Sequence, residues 1–143
     1  TAGGETEEAR ENEPEFGGID KATIERIAMD AVMEREKSLG NTPSDVANEN
    51  RGWDIESRDG ASGELRLLEV KGRSASQTTI TVTKNEILKA LNNPEHFILA
   101  VVLVSSDYFH EGPFYIHKPF TSEPDWNSTS VNFDLQALIG LAE

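Results

Sequence analysis

Asp54, Glu69 and Lys71 are the residues of this chain whose types and spacing point to chemistry. Glu69 and Lys71 stand two apart near the end of the strand-like run Leu65-Arg-Leu-Leu-Glu-Val-Lys71, so both project from one face. Asp54 lies in the preceding strand-like run, Trp53-Asp-Ile-Glu-Ser57. The turn residues Asp59-Gly60 and Ser62-Gly63 separate the two runs by roughly a hairpin's length. Antiparallel pairing would set Asp54 beside Glu69 with Lys71 adjacent, and would send Trp53, Ile55, Leu68 and Val70 to the opposite face. Two converging carboxylates are a hard-oxygen site for Mg²⁺ or Mn²⁺. A neighbouring lysine can orient a water or stabilise charge building on a phosphate. Together these are the parts of metal-assisted phosphodiester hydrolysis. A blander account also fits: a Glu-x-Lys pair at a strand end arises by chance, and Asp54 suits a turn.

The elements that must position this triplet can be read from periodicity. Ile24, Ile27, Ala28, Ala31 and Val32 recur at helical spacing, with Asp20 as N-cap and Gly40 closing the helix. Asp45-Val46-Ala47 reads as a short strand. Gly72 breaks the strand that carries Lys71, and Thr78–Val82 forms a third, β-branched strand. Thr83-Lys-Asn-Glu86 is a capping box that opens a helix over Asn85–Leu91, ended by Asn92-Asn-Pro. Phe97–Val104 is apolar at every position, the mark of a central strand covered on both faces. The helix 85–91 then serves as the right-handed crossover from strand 65–71 to strand 97–104. A further strand is expected at Phe114–His117. The amphipathic end at Phe133–Leu141 fits strand or helix. The class is α/β: a small mixed sheet flanked by helices, in the order α-β-β-β-α-β.

At 143 residues the chain suits a single domain. Residues 1–18 read as a disordered acidic leader, and 19–143 as one domain with its core at about 20–104 and an extension over 105–143. The absence of cysteine excludes disulfides, thiolate catalysis and cysteine-held metals. His96, His110 and His117 share no metal-ligand spacing and read as structural or exposed. Trp126 is expected to pack under its loop. No run is apolar enough to span a membrane and no signal peptide pattern precedes the domain, so a cytoplasmic protein is expected. The chain begins at Thr1, which suggests a domain cut from a longer protein.

Thirteen Lys and Arg against 26 Asp and Glu give a net charge of −13, unfavourable for a protein that coats nucleic acid. Residues 1–16 hold six Glu and one Arg, so −8 remains on the other 127 residues. Any DNA site must therefore be small or metal-assisted.

The pattern Asp54…Glu69-Val70-Lys71 in this element order resembles the restriction-endonuclease-like PD-(D/E)xK nuclease superfamily. More narrowly, Glu25-x-x-Ala28-Met29, Gly52-Trp-Asp-Ile55, Leu68-Glu-Val-Lys-Gly-Arg73 and Thr83-x-Asn-Glu86 resemble the NO VEIN C-terminal domain family. The resemblance implies Asp54 and Glu69 as metal ligands, Lys71 as the catalytic lysine, and Mg²⁺ or Mn²⁺ as cofactor. It also implies Glu25, on the first helix, as a further ligand, with Glu34 a weaker rival. The superfamily's proline before the aspartate is absent; Trp53 stands there. Arg51, Arg73 and Lys89 are candidates for phosphate contacts, and each also fits a plain surface charge.

The expected function is a nuclease module cutting DNA inside a larger helicase, restriction or defence protein. Neighbouring domains would deliver the DNA, a homodimer is compatible with the fold, and no membrane is involved. Two alternatives stay open: a catalytically silent nuclease-fold module that binds nucleic acid or a partner, and an interaction domain in which Glu69–Lys71 is a surface ion pair.

Overall fold

The structure, a computed structural model, describes residues 19–143; the expected acidic leader lies outside the described residues. Its first helix, α1 (Lys21–Ser38), begins where Asp20 accepts the Thr23 N–H at 2.7 Å, and ends before Gly40 at φ +87°. Strand β1 (Thr42–Asp45) and a 3-10 turn (Ala47–Glu49) occupy the region of the expected short strand. β2 (Ile55–Arg58) and β3 (Leu65–Ser74) form the expected hairpin, with Ile55 opposite Leu68. β4 (Thr79–Thr83), α2 (Lys84–Asn92), β5 (Phe97–Val104), β6 (His110–His117), β7 (Ser130–Asp134) and α3 (Leu135–Ile139) follow.

The main sheet has the order β1-β2-β3-β5-β6, with β3 and β5 parallel and the other pairs antiparallel. α2 lies on the crossover between the parallel pair, as its place in the sequence requires. The third strand differs from expectation. β4 leaves the main sheet and pairs with β7 in a separate two-stranded sheet, while β1 takes the third place in the antiparallel run. β6 completes the main sheet, so the core continues beyond residue 104. The ambiguous tail is both things in turn: β7, then α3, joined where the Asp134 carboxylate accepts the Ala137 N–H.

β5 shows why the sheet is covered on both sides. Ile98, Ala100, Val102 and Val104 pack with Ile24, Ala28 and Val32 of α1. Phe97, Leu99, Val101 and Leu103 pack with Ile80, Val82, Ile87 and Leu135 on the other face. All eight β5 residues are buried. Gly72 does not break β3. A Cβ there would lie 2.9 Å from the Ala28 Cβ and 3.0 Å from the Ile24 carbonyl, so the glycine lets α1 sit directly on the strand.

The α1 face also holds a buried charge. Glu36 is fully buried; its carboxylate takes two hydrogen bonds from Arg66 (2.9 and 3.0 Å), one from the Tyr115 hydroxyl (2.7 Å) and one from Asn41 (3.0 Å). Burial pushes this carboxyl up, but the hydrogen bonds from Arg66, Tyr115 and Asn41 outweigh it and hold the group below its usual range. The same burial and the neighbouring Glu36 raise the Tyr115 phenol. This network ties the end of α1 to β3 and β6. Among the described residues no helix is long and apolar enough to cross a membrane.

Candidate active site

Alternation along β3 decides which side chains can meet. Leu68 and Val70 turn to α1, while Glu69, Lys71 and Arg73 turn to the face covered by β4 and α2. Opposite them in register on β5 stand Leu99, Val101 and Leu103. Three charged side chains therefore lie on an otherwise apolar face of a central strand. All three are buried: Glu69 is 7%, Lys71 3% and Arg73 3% exposed. Two expectations are corrected here. Lys71 sits within β3, not at its exposed end, and Glu69–Lys71 is not a surface ion pair.

Asp54 precedes β2 by one residue yet extends its ladder. The Asp54 N–H donates to the Leu68 carbonyl at 2.9 Å, and its carbonyl accepts from the Val46 N–H at 2.8 Å. The Asp54 carboxylate accepts the Val70 N–H at 2.9 Å, which fixes it across the strand from Glu69. Ile55, Leu68 and Val70 pack against α1 as expected; Trp53 does not join them. It is half-buried, with its indole N–H donating to Glu56 at 2.9 Å.

The close partner of the lysine is a residue from another element. Lys71 Nζ lies 3.0 Å from Glu86 Oε1 and 3.9 Å from Glu69 Oε2. Glu86 completes the capping box of α2: its carboxylate accepts the Thr83 N–H at 2.9 Å while Thr83 Oγ1 accepts the Glu86 N–H. In the sequence the capping box accounts for Glu86, and its side chain could also steady the site; the structure sets its carboxylate 3.0 Å from the Lys71 ammonium. A helix that opens on the charged face of β3 points its third residue back towards that strand.

Charge decides the protonation pattern. Burial, then the negative charges of Asp54 and Glu86, push the Glu69 carboxyl well above the usual carboxylate range, against the pull of Lys71. Burial also acts on Glu86. There the Lys71 ammonium and hydrogen bonds from Glu69, the Thr83 N–H and Lys71 win, and its carboxyl stays below the usual range. The two shifts run in opposite directions, so Glu69 holds its proton more readily than Glu86, and Glu86 is the carboxylate held 3.0 Å from the Lys71 ammonium.

These groups line one cavity of about 610 Å³, walled by α1, the turn before β2, β3 and the start of α2. Lys21, Glu25, Arg51, Arg73 and Lys89 line it too. Glu25 reaches the rim with its side chain about half exposed and ion-paired to Lys21 at 2.6 Å. The rival Glu34 is 77% exposed beside Lys37. Arg51 binds Glu49 and Glu56 at 2.7 and 2.8 Å. The Arg73 guanidinium is buried and donates to the Gly72 and Thr81 carbonyls. Lys89 is exposed and lays its stem over Gly52, where a Cβ would come 2.7 to 2.9 Å from three of its carbons. Gly52, at φ +101°, thus allows both the turn and the close approach. Trp126 is 87% exposed, contrary to the expected packing, and the three histidines are exposed as expected.

Among the described residues no three Asp, Glu, His or Cys side chains form a metal cage. A hard divalent cation here would take two protein carboxylates, Asp54 and Glu69, and the rest of its shell from water and substrate. That is a common way for Mg²⁺ to be held. The donor set fits: burial and the nearby Asp54 and Glu86 together raise the Glu69 carboxyl, and a dication would offset that crowding of acidic groups.

A family model described as Protein NO VEIN, C-terminal, matches residues 24–116, more than half of the chain. No curated protein and no solved structure matches it.

Proposed function

We propose that this chain, which belongs to the NO VEIN C-terminal family, is a metal-dependent nuclease module that hydrolyses DNA phosphodiester bonds. The observation that carries the reading is the gathering of buried Glu69 and Lys71 with partly buried Asp54 and Glu86 around one cavity. A buried ion pair seldom stabilises a fold more than apolar packing of the same shape. Titratable groups perturbed together in a cleft are the usual signature of a reactive site.

The lining as a whole supports an anionic substrate. It holds five of the chain's thirteen Lys and Arg and four carboxylates, a formal +1 in a protein of −13. A lining this close to neutral in so acidic a chain is compatible with a small or metal-assisted DNA site. With β4 set aside in its separate sheet, α1, the antiparallel β1-β2-β3, α2 and the parallel β5 follow the order that the nuclease superfamily implies.

In this reading Asp54 and Glu69 hold Mg²⁺ or Mn²⁺, with Glu25 at the rim able to reach it through water. A bound ion supplies Lewis acidity at the phosphoryl oxygen and makes a water acidic enough to attack at neutral pH. Lys71 donates to the non-bridging oxygen on which charge builds in the transition state. Glu86 holds that ammonium in place through its 3.0 Å contact. Lys89 and Arg51 at the mouth face the flanking phosphates, and Arg73 braces the floor. The parent would be a cytoplasmic helicase, restriction or defence protein whose neighbouring domains bring DNA to the site, and a homodimer is compatible with the fold.

Titration calorimetry with Mn²⁺ tests the site. One ion should bind per chain, and Asp54→Asn and Glu69→Gln should each abolish the heat while keeping the circular dichroism of the parent. Equal binding by the variants, or none by the parent, would remove the basis of the reading.

A further inference from the structure

Trp53 is a large aromatic that contributes to neither hydrophobic cluster, although it sits beside both Asp54 and the buried Ile55. It lines the cavity instead. Its N–H edge is fixed by a relay of charged groups: the indole donates to Glu56 Oε2 at 2.9 Å, Arg51 holds Glu56 Oε1 at 2.8 Å, and Glu49 holds Arg51 at 2.7 Å. The structure thus orders three charged side chains to fix the orientation of an indole that packs no core. Such preorganisation serves binding, because a rigid aromatic loses little freedom when a flat partner lands on it.

We infer that Trp53 is a stacking surface for an unpaired nucleobase next to the phosphate held at Asp54 and Lys71, so that the substrate is single-stranded or locally opened DNA. The inference rests on the nuclease reading and names its substrate class. Three observations point this way. A base can lie on a protein ring only after leaving its own stack, which an unpaired nucleotide has already done. A cavity of about 610 Å³ has the size of a small-molecule site, enough for one nucleotide unit. The net charge of −13, which leaves −14 outside a lining of +1, disfavours a long duplex and tolerates a short strand threaded through the mouth.

The two tryptophans, Trp53 and Trp126, allow a direct test. In a Trp126→Phe parent the remaining emission comes from Trp53. A twelve-residue oligothymidylate is titrated in Ca²⁺, beside a blunt duplex of equal length, with strand integrity checked on a gel. The single strand should quench Trp53 and bind more tightly than the duplex. Relative to the wild-type ring, Trp53→Ala should raise its Kd on the order of 5- to 150-fold, as loss of one base–aromatic stack does. Trp53→Phe should recover most of the affinity, and thermal melts should show all three proteins folded. A Kd for the single strand unchanged within twofold in Trp53→Ala, or duplex binding as tight as single-strand binding, overturns the inference. If Mg²⁺-dependent cleavage persists in that case, the nuclease reading stands without it. If neither oligonucleotide binds and none is cut, both fall.

Discussion

Removing the positive charge from Lys71 should expose how the site is held. Lys71 is 3% exposed and lies 3.0 Å from Glu86 and 3.9 Å from Glu69, so Lys71→Met leaves carboxylates facing one another with no ammonium among them. Breaking one side of a buried pair costs about 3–5 kcal/mol. The lower end applies, because burial and its acidic neighbours push the Glu69 carboxyl well above the usual range, which eases the repulsion. Glu86→Gln is milder: glutamine keeps the capping box, and Glu69 can ionise to take over as the partner of Lys71, so about 1–2 kcal/mol is expected. In the double variant the Glu86 carboxylate that Lys71→Met leaves without its ammonium is gone. The two costs should therefore fall short of adding by about 2 kcal/mol. Urea unfolding of the four proteins measures this, provided the slope with denaturant is unchanged. Additivity within about 0.5 kcal/mol would refute the pairing and with it the role given to Glu86.

Other outcomes follow from the same contacts. Glu36 is held below the usual carboxylate range, so its stabilisation is complete above its unfolded value of about 4.3 and is lost as pH falls through the lower folded value. Glu36→Gln should cost about 2–4 kcal/mol at pH 7, and the gap to wild type should narrow in urea melts at about pH 3; a gap that widens in acid contradicts the assignment. Gly72→Ala should destabilise by about 1–3 kcal/mol, since its Cβ would press on Ala28 and the Ile24 carbonyl; an unchanged melting temperature would show that α1 is not seated as described. Gly52→Ala, at φ +101° under the Lys89 stem, should cost about 1–2 kcal/mol and weaken Mn²⁺ binding through Asp54 two residues on, which calorimetry would detect.

Much of the site was legible because a hairpin and a two-residue spacing are local facts. Asp54, Glu69 and Lys71 meet as their alternation requires, and Phe97–Val104 is buried on both faces as its composition requires. What stayed hidden depends on contacts far apart in the chain. β4 pairs with β7 across some fifty residues, and nothing in Thr79–Thr83 chooses that partner over the main sheet. Gly72 looked like a break because a glycine between charged residues gives no sign of the helix pressed on it. That misreading also placed Lys71 and Arg73 at a surface, when both are interior. Glu36 carried a usable signal: it continues the row Ile24, Ala28, Val32 at four-residue intervals, so a charge falls on the buried stripe and needs a partner. Arg66 and Tyr115, thirty and seventy-nine residues away, could be named only from the fold.

The account's central claim is that Asp54, Glu69 and Lys71 form a metal-dependent centre that hydrolyses DNA. The most direct measurement is Mg²⁺- or Mn²⁺-dependent cleavage of end-labelled single-stranded DNA by the wild type and by Lys71→Ala. Near-neutral salt and a metal concentration that saturates the calorimetric site are required, with circular dichroism confirming that the variant is folded. The account predicts cleavage that needs the metal, stops with chelator and is lost by at least a hundredfold (about 2.7 kcal/mol of barrier) in the variant. Cleavage that survives in a folded Lys71→Ala protein, or a metal-loaded wild type that leaves the strand intact, would contradict it.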